Sequence, residues 1–411
     1  MLELKRITPI NQHCFFGYYD KSPWNDVEDR MLYTKTTVNG RLPETGEKLT
    51  IGIIDLDSGQ PGDLLTTSAW NFQQGCMLQW LSKDTFIYND LDSGRAISVV
   101  ANLSGEQLHR HELAIYAVSH DKQLAMGVDF GRLHRLRPGY GYEGAKSNDS
   151  SVLVSRIDLN TGKSSVVLTT DDFHDFIDPK QASSSWVDHI LFSSDDRNIV
   201  FLLRSLTPDG GVFSRLFCCN AHGEQLKCLL DTGMASHADW YDNQHIAIWG
   251  RKKQLVANLQ KASFSKLLKP LINLVRKVGV PNIVRNKVYG DEFLMININS
   301  GEISTFAEKI PANEGGGHFT FAHNARWMLN DTICLDQSSQ RELMLYDMTK
   351  SIRYPIAKLF TPEEIYQTPY RCDLHPRWSP SGKQVCIDSV HEGYRGMYII
   401  DVENFLTEHA G

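Results

Sequence analysis

A short apolar or β-branched run, closed by Asp or Asn and then a Gly-type turn, recurs along the chain. It reads IGIIDLDSG at 51–59, AISVVANLSG at 96–105, SVLVSRIDLNTG at 151–162, SRLFCCNAHG at 214–223, EFLMININSG at 292–301, ELMLYDMTK at 342–350 and MYIIDVEN at 397–404. Each predicts a strand entering a tight turn whose backbone angles suit Asn, Asp and Gly. A second series, strand, polar turn, strand, precedes the first in every unit; WLSKDTFIYND and WSPSGKQVCIDS are two of its members. Four antiparallel strands repeated seven times predict an all-β fold, a seven-bladed β-propeller.

The units place blades at approximately 15–65, 74–112, 113–170, 185–231, 235–307, 316–359 and 372–411, one domain over 1–411. The last unit lacks a fourth strand, while LELKRITPI at the start has no unit of its own. Residues 2–9 are therefore expected to complete blade seven and close the ring, which removes open sheet edges. Two insertions lengthen the connections between second and third strands, at 131–149 in blade three and 253–290 in blade five. The second holds Phe264, Leu267, Leu268, Leu271, Ile272, Leu274, Val275 and Val278 at helical spacing among Lys and Arg, with Pro270 interrupting. That predicts a basic amphipathic helix, either a lid on the rim or a contact through 261–278 with an anionic membrane surface or a partner.

Composition narrows the setting. The 411 residues are 41% hydrophobic and 22% charged, which describes a globular chain rather than a disordered one. No apolar run is long enough to cross a bilayer, and the first residues lack the apolar region of a secretory signal, so a cytoplasmic location is expected. Eight scattered cysteines without a CxxC pattern read as free thiols. A net charge of -7 argues against broad nucleic-acid binding, so an anionic ligand needs a local basic cluster. No G-x-S-x-G elbow, Walker motif or dinucleotide glycine motif is present.

Aligning the units exposes His-x-x-aromatic at one register in blades four to seven: His189, His237, His318 and His375. Side chains alternate along a strand, so four such histidines on innermost strands face one another around the channel. Blades one to three carry Tyr18, Met77 and Ile115 there. The blade-three insertion sets Arg132, Arg135 and Arg137 beside Tyr140 and Tyr142, a mixture suited to a carboxylated sugar. Arg204 and Arg251 end the second strands of their blades at the same rim.

RCDLHPRWSPSGKQVCIDSVHEGYRGMYIIDV at 371–402, with SHADW at 236–240, RPGYGY at 137–142 and FFGYYDKSPW at 15–24, resembles bacterial propellers related to oligogalacturonate lyase and the ulvan-type polysaccharide lyases. The resemblance implies β-elimination on an acidic, uronate-containing oligosaccharide or polysaccharide, with two chemistries open. In the oligogalacturonate lyase type, Mn²⁺ or another divalent cation neutralises the uronate. His318 and His375 then match two ligands, and Asp373 stands in the family's Gln-x-x-His-x-His cluster where a His is missing. In the metal-free ulvan type, His189, His237, Arg204 and Arg251 neutralise the carboxylate and Tyr140 or Tyr142 moves protons. Arg132, Arg135, Arg137 and Tyr18 are the substrate-binding candidates in either case. A non-catalytic glycan-binding or scaffold propeller, tied to exopolysaccharide or capsule metabolism, is the alternative reading.

Overall fold

In the computed structural model, which describes residues 1–147, 151–208, 210–252, 290–311, 315–333, 336 and 338–409, the chain forms seven antiparallel sheets of four strands each. They follow one another at 13–67, 79–111, 117–169, 185–233, 235–305, 319–360 and 377–401. Each repeat in the sequence is one blade of a seven-bladed β-propeller. Middle strands are apolar on both faces because every sheet is sandwiched between two others; Asn198–Leu206 and Val212–Asn220 of blade four are almost wholly buried. Outermost strands face water, as the run of exposed positions in Gln107–His111 shows. The innermost strands end in aromatics that join blades: Nε1 of Trp80, Trp240 and Trp378 donates to Pro23, Leu191 and Thr320 carbonyls of the preceding blade, at 2.8, 3.3 and 3.4 Å.

The ring closes through the N-terminus. Strand Lys5–Arg6 pairs with Gly396–Asp401, with Lys5 opposite Ile399 and Arg6 opposite Tyr398. Arg6 extends the closure by donating to Glu392 at 2.9 Å and to the Tyr398 hydroxyl at 3.0 Å. Elsewhere the insertions refine the expectation. The blade-three insertion begins as a helix, Phe130–Leu136, capped by Asp129 accepting from the Arg132 amide, with its first turn buried. The blade-five insertion, with its expected helix and the contact through 261–278, lies outside the described residues except for Gly290. Among the described residues no helix is long and apolar enough to cross a membrane. All seven described cysteines are free, and all but Cys228 are buried.

The axis is not an open channel. Gly17 has φ of 142°, and a Cβ there would sit 2.9 Å from the Gln74 carbonyl oxygen, so only glycine lets the backbone turn inward. Arg377 fixes that turn, donating to the Tyr18 carbonyl at 3.0 Å. Tyr18 and Tyr19, each 2% exposed, then cross the axis. The Tyr19 hydroxyl donates to the Ala238 carbonyl and accepts from the Ala238 amide in blade five, at 2.9 and 3.1 Å.

Beside this plug a cavity of about 380 Å³ is lined by Tyr19, Asp20, Lys21, Asp239, Thr320 and Trp378 among others. Asp239 accepts from the Phe321 and Trp240 amides, both at 2.9 Å. Burial nevertheless pushes its carboxyl up to about 7, the two amide bonds opposing the shift and Asp20 adding to it.

Two outcomes follow from this packing. Deleting residues 1–9 strips the partner from 396–401 and should lower the melting temperature by at least about 5 °C, with aggregation through the bared edge; an unchanged transition would contradict closure. Asp239 binds its proton more tightly folded than unfolded, so its contribution is present at low pH and is lost as pH rises from about 4 through 7. Denaturant unfolding of the parent and of Asp239→Asn at pH 4.5 and pH 8 should show the parent losing about 2 kcal/mol more, the cavity side screening part of the shift. Parallel pH dependences would contradict it.

Candidate functional site

The four histidines of the repeat register meet at the axis against the tyrosine plug. Ring centroids of His237 and His318 lie 4.0 Å apart, those of His318 and His375 4.4 Å, and those of His189 and His237 6.0 Å. Tyr18 lies 5.2 Å from His189, 5.7 Å from His318 and 5.0 Å from His375. His189 and His375 have φ of 55° and 43°, as does Met77 of blade two at 54°. Left-handed backbone at a non-glycine residue stores about 1–3 kcal/mol each and persists only where packing over-determines it. In blade four the break falls between Asp188 and Leu191, interrupting the ladder at the histidine.

Each ring has a fixed role. His189 Nδ1 donates to Asp188 at 2.8 Å and its Nε2 accepts from the Tyr18 hydroxyl. His237 Nδ1 donates to the Gly316 and Gly317 carbonyls at 3.0 and 2.9 Å. His318 Nδ1 donates to Asp331 at 3.2 Å. The acceptors are carboxylates and carbonyls, so these three rings carry the proton on Nδ1 and leave Nε2 as an acceptor, taken up by Tyr18 at His189 and without a protein partner at His318. Burial lowers His189 to about 4 and lowers His237 and His375 well below the ordinary imidazole value, which keeps those three unprotonated, the neighbouring His318 lowering both of the latter further. Gly317 permits the close approach, since a Cβ there would fall 1.6 Å from the Asp331 carbonyl oxygen.

His318, His375 and Asp373 offer ligand atoms that all lie within 4.8 Å of one another. The Nε2 atoms of His318 and His375 are buried without a hydrogen-bond partner. Two imidazole nitrogens without a hydrogen-bond partner and one carboxylate are a donor set that fits a divalent cation such as Mn²⁺, and the Asp331–His318 bond is the kind of outer support a ligating histidine needs.

Two buried carboxylates organise the surrounding charge. Asp188 accepts from Arg137 at 2.7 Å, Arg204 at 3.0 Å, His189 and the Trp186 indole. Burial opposes its ionisation, but Arg204, His189 and Arg137 outweigh it and hold the carboxyl well below the usual range. Asp373 pairs with Arg341 and Arg371, each at 2.7 Å, and these two cations likewise overcome burial. A unit-charge pair at about 4 Å is worth about 4 kcal/mol at an effective dielectric near 20, which is why neither carboxylate protonates. Arg137, Arg204, Arg341 and Arg371 against Asp188, Asp331 and Asp373 leave this mouth one positive charge in surplus.

Not every candidate read from the sequence reaches this mouth. Tyr140 does: its hydroxyl accepts from Arg371 at 3.2 Å and Arg137 stacks 3.5 Å above its ring. Tyr142 does not; it stacks on Phe130 at 4.3 Å and its hydroxyl accepts from Asn89, inside the core between blades. The helix in the blade-three insertion separates its arginines: Arg132 is buried on the first turn, Arg135 points outward to the Ser183 carbonyl, and only Arg137 turns inward. Arg251 forms a bidentate pair with Asp291 on the adjacent strand. Sequence reasoning missed Asp188, Asp331, Arg341 and Arg371. One signal was available: second strands carry a polar residue, Asn89, Asp331 and Asp388, each accepting a backbone amide that adjoins an innermost strand, from Ile115, His318 and Phe16.

No family model matches the chain, and no curated protein sequence does. Solved structures do. Oligogalacturonate lyase in complex with manganese is similar with a TM-score of 0.62 and 15% identity, over 97% of this chain and 93% of that one. The oligogalacturonate lyase of Vibrio parahaemolyticus gives 0.63 and 14%, over 98% and 94%. A puromycin-hydrolyzing peptidase of Mycobacterium tuberculosis gives 0.51 and 10%, over 94% of this chain and 55% of that one. At these identities the likeness establishes the propeller fold that oligogalacturonate lyases and peptidases share.

Proposed function

We propose that this protein is a lyase that cleaves uronate-containing oligosaccharides or polysaccharides by β-elimination at the histidine mouth. The observation that carries the reading is the cation-compatible triad of His318, His375 and Asp373 beside an unprotonated His237, within a surplus of guanidinium charge. Elimination next to a carboxylate needs that carboxylate neutralised, a base at C5 and an acid at the departing O4. A bound divalent cation such as Mn²⁺, held by His318, His375 and Asp373, supplies Lewis-acid neutralisation of the uronate. Arg371 adds a planar donor for the same carboxylate. His237 presents its Nε2 lone pair to take the C5 proton, with the Gly316 and Gly317 carbonyls holding its tautomer. The Tyr140 hydroxyl, oriented by Arg371, returns a proton to O4. His189 stays with Tyr18 as a positioning pair, and Arg204 as a counter-charge to Asp188. A cytoplasmic location belongs to the same proposal, supported by the free thiols.

A second reading, a non-catalytic propeller that binds acidic glycans, is favoured by the burial of all four histidines to 6% exposure or less. Product formation separates the two. Purified protein offered oligogalacturonate and other uronate oligomers, with Mn²⁺ or with a chelator, should generate the ultraviolet-absorbing unsaturated uronate, and only with the metal. His237→Ala should reduce the rate by about 10²–10⁴-fold without unfolding the protein. Glycan binding without unsaturated product from any uronate substrate would sink the lyase reading in favour of the second.

A further inference from the structure

Asp373 is the one carboxylate of the candidate cation triad, and a guanidinium nitrogen lies 2.7 Å from each of its oxygens, Arg341 Nη1 at Oδ1 and Arg371 Nε at Oδ2, as ion pairs that lack hydrogen-bond alignment. The two arginines differ in freedom. The Arg341 side chain is 1% exposed and enclosed, whereas that of Arg371 is 27% exposed. Arg371 is anchored at its backbone, its carbonyl accepting from Gln73 at 3.0 Å and from Arg395 at 3.3 Å, while its guanidinium reaches Asp373 and Tyr140. A divalent cation entering between His318, His375 and Asp373 therefore meets two guanidiniums that are ion-paired with its only anionic ligand. Its entry is disfavoured until negative charge arrives or one guanidinium moves. Arg371 is the one able to move, and a carboxylate is the group whose geometry matches its fork.

Resting on the cation reading above, we propose that Arg371 couples the two occupants of the site. A uronate carboxylate draws the Arg371 guanidinium from Asp373, and the released Asp373 oxygen together with the added negative charge raises affinity for the cation. The coupling is reciprocal, so the cation raises affinity for the uronate by the same factor. Arg341 remains with Asp373 and keeps it ionised. The acidic sugar is then sensed twice, and a neutral sugar triggers neither event.

The test measures Mn²⁺ binding by the full chain with and without monomeric galacturonate, which has no 4-linked residue to expel. Free Mn²⁺ is read from its electron paramagnetic resonance signal, with a protein-free control for chelation by the sugar. The parent should bind Mn²⁺ at least about tenfold more tightly with saturating galacturonate, a coupling of about 1.4 kcal/mol, and should not respond to galactose. Arg371→Ala and Arg371→Gln should each bind Mn²⁺ more tightly than the parent without sugar, with the galacturonate effect reduced to within about twofold. A parent whose Mn²⁺ affinity ignores galacturonate, or variants that keep the full effect, would overturn the coupling. Coupling without turnover of any uronate glycan would remove the lyase reading alone. Turnover without coupling would remove this inference alone, and no Mn²⁺ binding under any condition would remove this inference and the cation with it.

Discussion

Tyr18 and Tyr19 occupy the axis that a propeller otherwise leaves to water, and the rest of the site depends on their doing so. Tyr19 ties blade one to blade five through the Ala238 backbone, and Tyr18 touches histidines of blades four, six and seven. With the axis filled, those imidazoles lose water and lie near one another, and desolvation keeps His189, His237 and His375 neutral. Tyr19 of the same plug also lines the cavity that holds Asp20 and Asp239, which none of the four axial histidines lines. Gly17 and Arg377 have no chemistry of their own here, but they decide where the tyrosines point.

Charge is arranged around this dry centre by pairing rather than by exposure. Asp188 and Asp373 are each enclosed by two guanidiniums, and Asp331 supports the ring of His318. Buried ions stay charged only where partners offset the lost hydration, so the arginines and aspartates form one interdependent set. A chain of net charge -7 thereby presents a locally positive mouth.

The fold was legible because a propeller writes its period directly into the sequence. Strand and polar turn recur in every blade, and a final unit one strand short pointed to closure by residues 2–9, where Lys5–Arg6 in fact pairs. The histidine register was legible for the same reason: His189 and Phe192 on one strand, or His375 just before a strand and Trp378 at its end, serve different faces, one the axis and the other the packing between blades. Partners drawn from different blades were not legible. Asp373 meets Arg341 across a blade boundary, and Arg371 meets Tyr140 over a separation of 231 positions. The blade-three arginines were read from their spacing alone, whereas the helix Phe130–Leu136 buries Arg132 on its first turn, sets Arg135 against the Ser183 carbonyl and brings Arg137 to Asp188. Tyr142 misled likewise, since an aromatic beside Arg137 suits a sugar platform and a core equally well until Phe130 is seen stacked on it.

Anomalous diffraction at the manganese edge, from crystals grown with Mn²⁺ and galacturonate, tests the central claim most directly. The account predicts a single peak bounded by His318 Nε2, His375 Nε2 and an Asp373 oxygen, with the sugar carboxylate beside it. A site without a peak there, with Arg371 still bonded to Asp373, would contradict it.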